Sequence, residues 1–281
     1  MRFGELLGKI DRRIIFGFMA VVVILPFFLR LNILGSVSPS ARQIFDVVEE
    51  LEPNSRPLLI SIDFDPQSMP ELYPMLTAVL RHAFARDVRV FVMGLWPTGV
   101  GLGEQSLQEI APEYDRVYGE DYVFLGWKPG FAAVVLGMGQ SIPATFPTDH
   151  YGTPIESLPL MSGIRNFEQV PYTISFSAGD PGALTLWIPY VQARFNQLLG
   201  AGMTAVSAAD AFPYLQSGQL TGMLGGMKGA AEYEHMIKQA GYTDAATPAT
   251  QAMDSQSMAH LAIILLIVLG NAGFMLAGRR K

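Results

Sequence analysis

Two uncharged apolar runs, one near each end, constrain this 281-residue chain more than any other feature. The first reads IIFGFMAVVVILPFFL from Ile14 to Leu29. With Arg30 snorkelling outward and Leu31 to Leu34 added, it reaches the roughly 20 residues that cross a bilayer. Pro26, near its outer end, kinks or terminates the helix. No A-x-A cleavage site follows, so the run is read as a retained anchor rather than a signal peptide. The second run, Leu261 to Ala277, lies in a predicted span over 258–277 and is interrupted by Asn271. Gly270, Asn271 and Gly273 give that helix small and polar positions of the kind that face another helix. Alternatively, Asn271 reaches headgroup water.

Charge orients the two runs. Arg2, Lys9, Arg12 and Arg13 precede the first, and Arg279, Arg280 and Lys281 follow the second. The positive-inside rule then places the tails 1–13 and 278–281 in the cytoplasm and the middle of the chain across the membrane. The expected address is the cell (inner) membrane, with an extracytoplasmic or periplasmic domain. Seven of the 19 basic and two of the 25 acidic residues lie in the tails, which leaves 12 against 23, a net charge of −11, for residues 30–257. An acidic surface of this kind repels nucleic acid and anionic headgroups and favours cationic ligands, metals or basic proteins. The chain has no cysteine, which excludes disulfides, cysteine-ligated zinc, iron–sulfur clusters and thiol nucleophiles.

Between the anchors, residues 35–243 alternate buried-strand patterns with amphipathic ones. Ser38-Pro39-Ser40 starts a connecting helix in which Ile44, Val47, Val48 and Leu51 recur at helical spacing. Strands are predicted at 57–63, 88–93, 122–125, 172–176 and 204–206. Helices are predicted at 69–85, 103–118, 184–199, 208–215 and 230–238. This order implies an α/β fold with a mostly parallel sheet and helices on both faces, Rossmann-like or binding-protein-like. Residues 137–171, with five prolines, and the glycine-rich 217–229 show no clear period; the former is long enough to be a lid or an interface. Residues 244–257 read as a small, polar tether to the second anchor.

Four segments carry candidate chemistry. Asp63-Phe64-Asp65 ends the first predicted strand, where open α/β sheets bind ligands, and two carboxylates at that spacing ligate a divalent metal or act in hydrolysis. A hydrophobic strand followed by Asp-x-Asp resembles the first motif of haloacid-dehalogenase-like phosphatases, although Pro66-Gln67 stands where that motif has a small or β-branched pair. The resemblance implies a metal-dependent hydrolase using Asp63 and Asp65. The residues also allow a structural role, with Asp63 capping the strand and Asp65 and Ser68 starting the next helix. Asp180, in the Gly-rich turn after the 172–176 strand, is positioned to converge on Asp63 and Asp65 across a crevice, or else serves a tight turn. Gly222, Gly225, Gly226, Met227 and Lys228 form a glycine-rich turn entering a helix, which cradles an anion or packs against a partner. Glu232 and Glu234 beyond it are expected to be solvated or capping. Asp149-His150-Tyr151 is a loop acid–histidine pair or a surface turn.

No G-x-S-x-G and no G-x-G-x-x-G after a strand occurs, so serine hydrolysis and a nicotinamide or flavin cofactor have no support. No cofactor is expected, a divalent metal being the one exception entertained. The expectation is therefore a structural or interaction subunit of a membrane assembly rather than an enzyme, with the bilayer and other membrane proteins or self as partners. A membrane-tethered small-ligand-binding module is the alternative.

Overall fold

The computed structural model describes residues 11–29 and 35–278. It divides into a compact unit, Ser36–Ala249, and a second unit made of the flanking segments.

Six strands build the larger unit: β1 (Leu58–Asp63), β2 (Val90–Gly94), β3 (Tyr122–Trp127), β4 (Thr173–Ser177), β5 (Leu199–Met203) and β6 (Gly222–Gly225). Every neighbouring pair is parallel, and the order is β3-β2-β1-β4-β5-β6. This is the strand order of doubly wound dinucleotide-binding folds, and the chain reverses direction across the sheet between β1 and β4.

Strand alternation assigns the two faces. Ile60, Ile62, Val92, Phe124, Ile174 and Phe176 share one face by register. Against it pack α2 (Pro39–Glu50), α3 (Met69–Ala85), α4 (Val100–Ile110) and α6 (Gly226–Gln239). On the other face Leu59, Phe91, Met93, Val123, Leu199 and Ala201 join α5 (Phe131–Gln140), residues 142–170 and a π-helix at Ala183–Gln192 in one core. Helices thus cover both faces, which explains the nearly continuous apolar strands.

Where the structure differs from the sequence expectations, glycine is the main cause. Residues 204–206 are not a strand; β5 lies just before them at Leu199–Met203, and residues 205–208 are helical. Gly200 and Gly202 obscured β5 because their β-propensity is low. They are needed for space: a Cβ on Gly202 would sit 2.3 Å from the Phe176 ring. The glycine-rich 217–229 likewise contains β6, which passes directly into α6 at Gly226. Residues 137–171 include the last turns of α5, a four-residue helix at Ile142–Thr145 and three short 3-10 turns, with Phe146, Ile155, Leu160 and Phe167 buried. They form a packed cover over the sheet.

In the flanking unit, α1 (Arg12–Ile24) passes into a 3-10 turn at Leu25–Phe27 that contains Pro26. Thirteen residues rise only about 20 Å against a hydrocarbon core of about 30 Å. Arg30 to Leu34, which the expected first span requires, lie outside the described residues, as do Arg2, Lys9 and Arg279 to Lys281 of the basic tails. Among the described residues one helix, not two, is long and apolar enough to cross a membrane: Pro248–Met275, 28 residues containing an 18-residue window of mean hydropathy 2.1. It belongs to α7 (Pro248–Gly278), so the expected tether is helical from Pro248 onward, with proline in the first turn. Ser255 Oγ donates to the Val23 carbonyl at 2.7 Å, joining α7 to α1.

Substituting Gly202→Ala forces a methyl into the Phe176 ring and lowers the unfolding free energy by about 1–3 kcal/mol. Gly101→Ala meets open space inside α4 and raises it by about 0.5–1 kcal/mol. Urea titration of the two variants checks both signs.

Candidate functional site

Two places in the α/β unit gather polar side chains at strand ends: the β1/β4 reversal point and the free edge at β6. At the reversal point Asp63 is fully buried. It shares a sheet face with Ser61, Thr173, Ser175 and Ser177, a polar column in an otherwise apolar layer. Its Oδ1 accepts from Ser61 Oγ at 2.6 Å and from the Leu95 backbone N–H at 3.0 Å. Its Oδ2 accepts from Ser175 Oγ at 2.7 Å and from Trp187 Nε1 at 3.0 Å. Burial pushes the carboxyl up to about 6, against the pull of these four donors.

Trp187 reaches Asp63 from the π-helix, whose i→i+5 bonding is seen in Trp187 N–H to the Gly182 carbonyl. Ser177 Oγ accepts from the Ala183 N–H and fixes the start of that helix. Asp65 points elsewhere. Its Oδ1 accepts from the N–H groups of Gln67 and Ser68 and so initiates α3. Asp180 is exposed in the turn after β4, preceding a cis Pro181 whose carbonyl accepts from Trp96 Nε1. None of the hydrogen bonds to Asp63 involves Asp65 or Asp180. Among the described residues no group of three or more His, Asp or Glu has a metal-binding arrangement.

The Asp149-His150 pair organises a turn. Asp149 is buried and accepts from Tyr118 Oη at 2.6 Å and from the N–H groups of Tyr151 and Thr153. The His150 N–H donates to the Phe124 carbonyl and secures the turn to β3. His82 is a second buried polar centre. Its Nδ1 and Nε2 lie 2.8 Å from Tyr233 Oη and from Glu49 Oε2. Phe45 and Tyr242 stack on either side of the ring. Burial drives its pKa down to about 4, so the neutral ring accepts from Tyr233 at Nδ1 and donates to Glu49 from Nε2.

The β6 edge carries an open pocket of about 520 Å³, within the range of small-molecule sites. Its walls include Ser38, Ser40 and Gln43 from the start of α2, Phe212 and Leu215 from a short helix, and Lys228 and Glu232 from α6. The predicted glycine-rich segment is thus split by the structure. Gly222 to Gly225 are strand, and Gly226, with φ +57°, turns the chain into α6 where a Cβ would lie 2.8 Å from that of Ala205. Met227 is half-buried and Lys228 exposed in the first turn of α6.

Glu232 is not solvated. It is 1% exposed, its Oε2 accepts from Ser38 Oγ at 2.6 Å, and Lys228 Nζ lies 3.3 Å from Oε1. Although Lys228 is within ion-pair range, Oε1 receives no aligned hydrogen bond. Glu234 is also buried and accepts from the Ala249 N–H. In the structure the run Gly229 to Glu234 is buried at every position, which leaves neither glutamate a solvated face. At the far end of the chain, Asn271 is exposed on α7 beside Gly270, while Gly273 is buried.

Compared with known proteins, the chain matches no family model, no curated protein and no solved structure.

The titration of Asp63 has a definite sign. Its pKa is raised from the model-compound 3.8 to about 6, so its contribution to stability is full below about pH 4 and lost as pH rises through about 6. Asp63→Asn removes that titration. Measured by urea unfolding, the wild type is therefore favoured over the variant by about 2–3 kcal/mol more at about pH 4 than at about pH 7.5.

Proposed function

We propose that the chain is a membrane-anchored interaction subunit that presents its acidic α/β unit on the extracytoplasmic side. The observation that carries this reading is α7, whose apolar residues are exposed around the helix: Leu261, Ile264, Leu265, Ile267 and Val268 all lie open to the surroundings. A helix with an 18-residue apolar window and such a surface calls for lipid or another helix around it. The basic residues after it and before the first apolar run support cytoplasmic tails and a hairpin of two anchors. On this reading Arg30 to Leu34 complete the first span.

Asn271 and Gly270 are the partner-contact positions within the bilayer. An exposed amide in a lipid-facing helix gains about 0.6–2 kcal/mol by hydrogen bonding to a neighbouring helix. The use of Asp63 and Asp65 in internal hydrogen bonds supports presentation of a surface over hydrolysis at the β1 end.

Purification of the full-length protein in mild detergent tests the reading. The expected result is a fixed-ratio complex with one or more membrane proteins, or a defined self-assembly. Asn271→Leu is expected to weaken the association about threefold or more. A monodisperse lone protomer by light scattering would overturn it. Reporter fusions at residue 35 and at the C-terminus, read as outside and inside, check the topology.

A further inference from the structure

We propose that the pocket at the β6 edge binds a small zwitterion of the α-amino-acid type, with an apolar side chain. This site is independent of the assembly role above. Three features converge there. The first is the start of α6, where Gly225 occupies the capping position and supplies no side-chain cap. The backbone N–H groups of its first turn have no carbonyl within the helix, and with the helix dipole they favour an anion. Lys228, in that same turn, adds a mobile positive charge.

The second feature is Glu232, which points to the opposite chemistry. It is buried and held by Ser38 at one oxygen, while its other oxygen has no aligned donor. With only the misaligned Lys228 ammonium at 3.3 Å, Oε1 forgoes a full charge-assisted hydrogen bond, which a ligand bearing an aligned cationic donor supplies. An inorganic anion alone would meet the Glu232 carboxylate, and an amine alone would meet Lys228. A molecule with adjacent ammonium and carboxylate groups satisfies both. Lys228, with a side chain 62% exposed, swings away from Oε1; the ligand ammonium takes its place, and the ligand carboxylate pairs with Lys228 and the first-turn N–H groups of α6. The Lys228–Glu232 pair is thereby replaced by two ion pairs arranged head to tail.

The third feature is the opposite wall. Phe212, Leu215 and Met223 line it, with Phe212 54% exposed. An aliphatic or thioether side chain projecting from the zwitterion covers that surface and gains about 25 cal/mol for each Å² removed from water. The volume of about 520 Å³ accommodates a ligand of this size together with water.

Isothermal titration of the full-length protein in detergent tests the proposal. The probes are L-leucine and L-methionine, with 4-methylpentanoate and isoamylamine as halves that lack the ammonium or the carboxylate, and glucose as a neutral polyol. At least one amino acid is expected to bind about tenfold or more tightly than either half and than glucose. Glu232→Gln keeps an acceptor for Ser38 but removes the charge, and is expected to weaken binding about tenfold or more. Lys228→Met changes an exposed side chain and is expected to weaken it several-fold without altering the circular dichroism spectrum. The proposal is overturned if neither amino acid binds at about 10 mM, or if a half-ligand or glucose binds as tightly. Retention of full affinity by Lys228→Met in a correctly folded variant also overturns it.

Discussion

The carboxylate of Asp63 accepts four hydrogen bonds, one from its own strand and three from segments 32 or more residues away. Ser61 lies on its own strand, Leu95 at the exit of β2, Ser175 on β4 and Trp187 on the π-helix. The contacts sit where the sheet changes winding direction, the one junction that no short connection spans. A buried charge that is fully hydrogen-bonded tolerates little displacement of its donors, because each lost bond exposes the cost of desolvation. The network therefore specifies register between β1 and β4 and the seating of the π-helix together. An apolar contact of equal area would fix neither as narrowly.

That arrangement was only half legible in the sequence. The strand before Asp63 is a continuous apolar run, and its end marks where a functional acid would lie. What the acid does was decided by Trp187, 124 positions away, on a segment that reads as ordinary amphipathic helix but contains Pro189 and winds as a π-helix. No local pattern announces such a partner. The alternation of strands and helices was readable because both faces of the sheet are covered. β5 and β6 were hidden because close packing against Phe176, Ile44 and Ser40 demanded glycine at the positions that would have declared strand. The same requirement made β6 look like a glycine-rich turn entering a helix. Glu232 was misplaced for a related reason: its side chain is buried by α2, which lies nearly 200 residues earlier.

The polar centres differ in what they leave over. Around Asp63 and around Asp149 every named acceptor is matched by an internal donor, and the outcome is rigidity. At the β6 edge the matching is incomplete, with Glu232 Oε1 short of an aligned donor and an uncapped helix start beside it. Local satisfaction is thus unequal within one domain, and at the β6 edge the incompletely matched acceptor borders an open pocket.

His82 and Asp63 together have a consequence for proton traffic. Near pH 5 the folded unit holds Asp63 protonated, its pKa being about 6, and His82 neutral, its pKa being about 4. Unfolding restores both to ordinary values, so the aspartate releases a proton and the histidine takes one up. The two exchanges cancel, and with respect to this pair unfolding is proton-neutral across the mildly acidic range. A buried acid and a buried base, each mistuned by burial in its own direction, thus act as a counterweight to one another in the protons exchanged on unfolding.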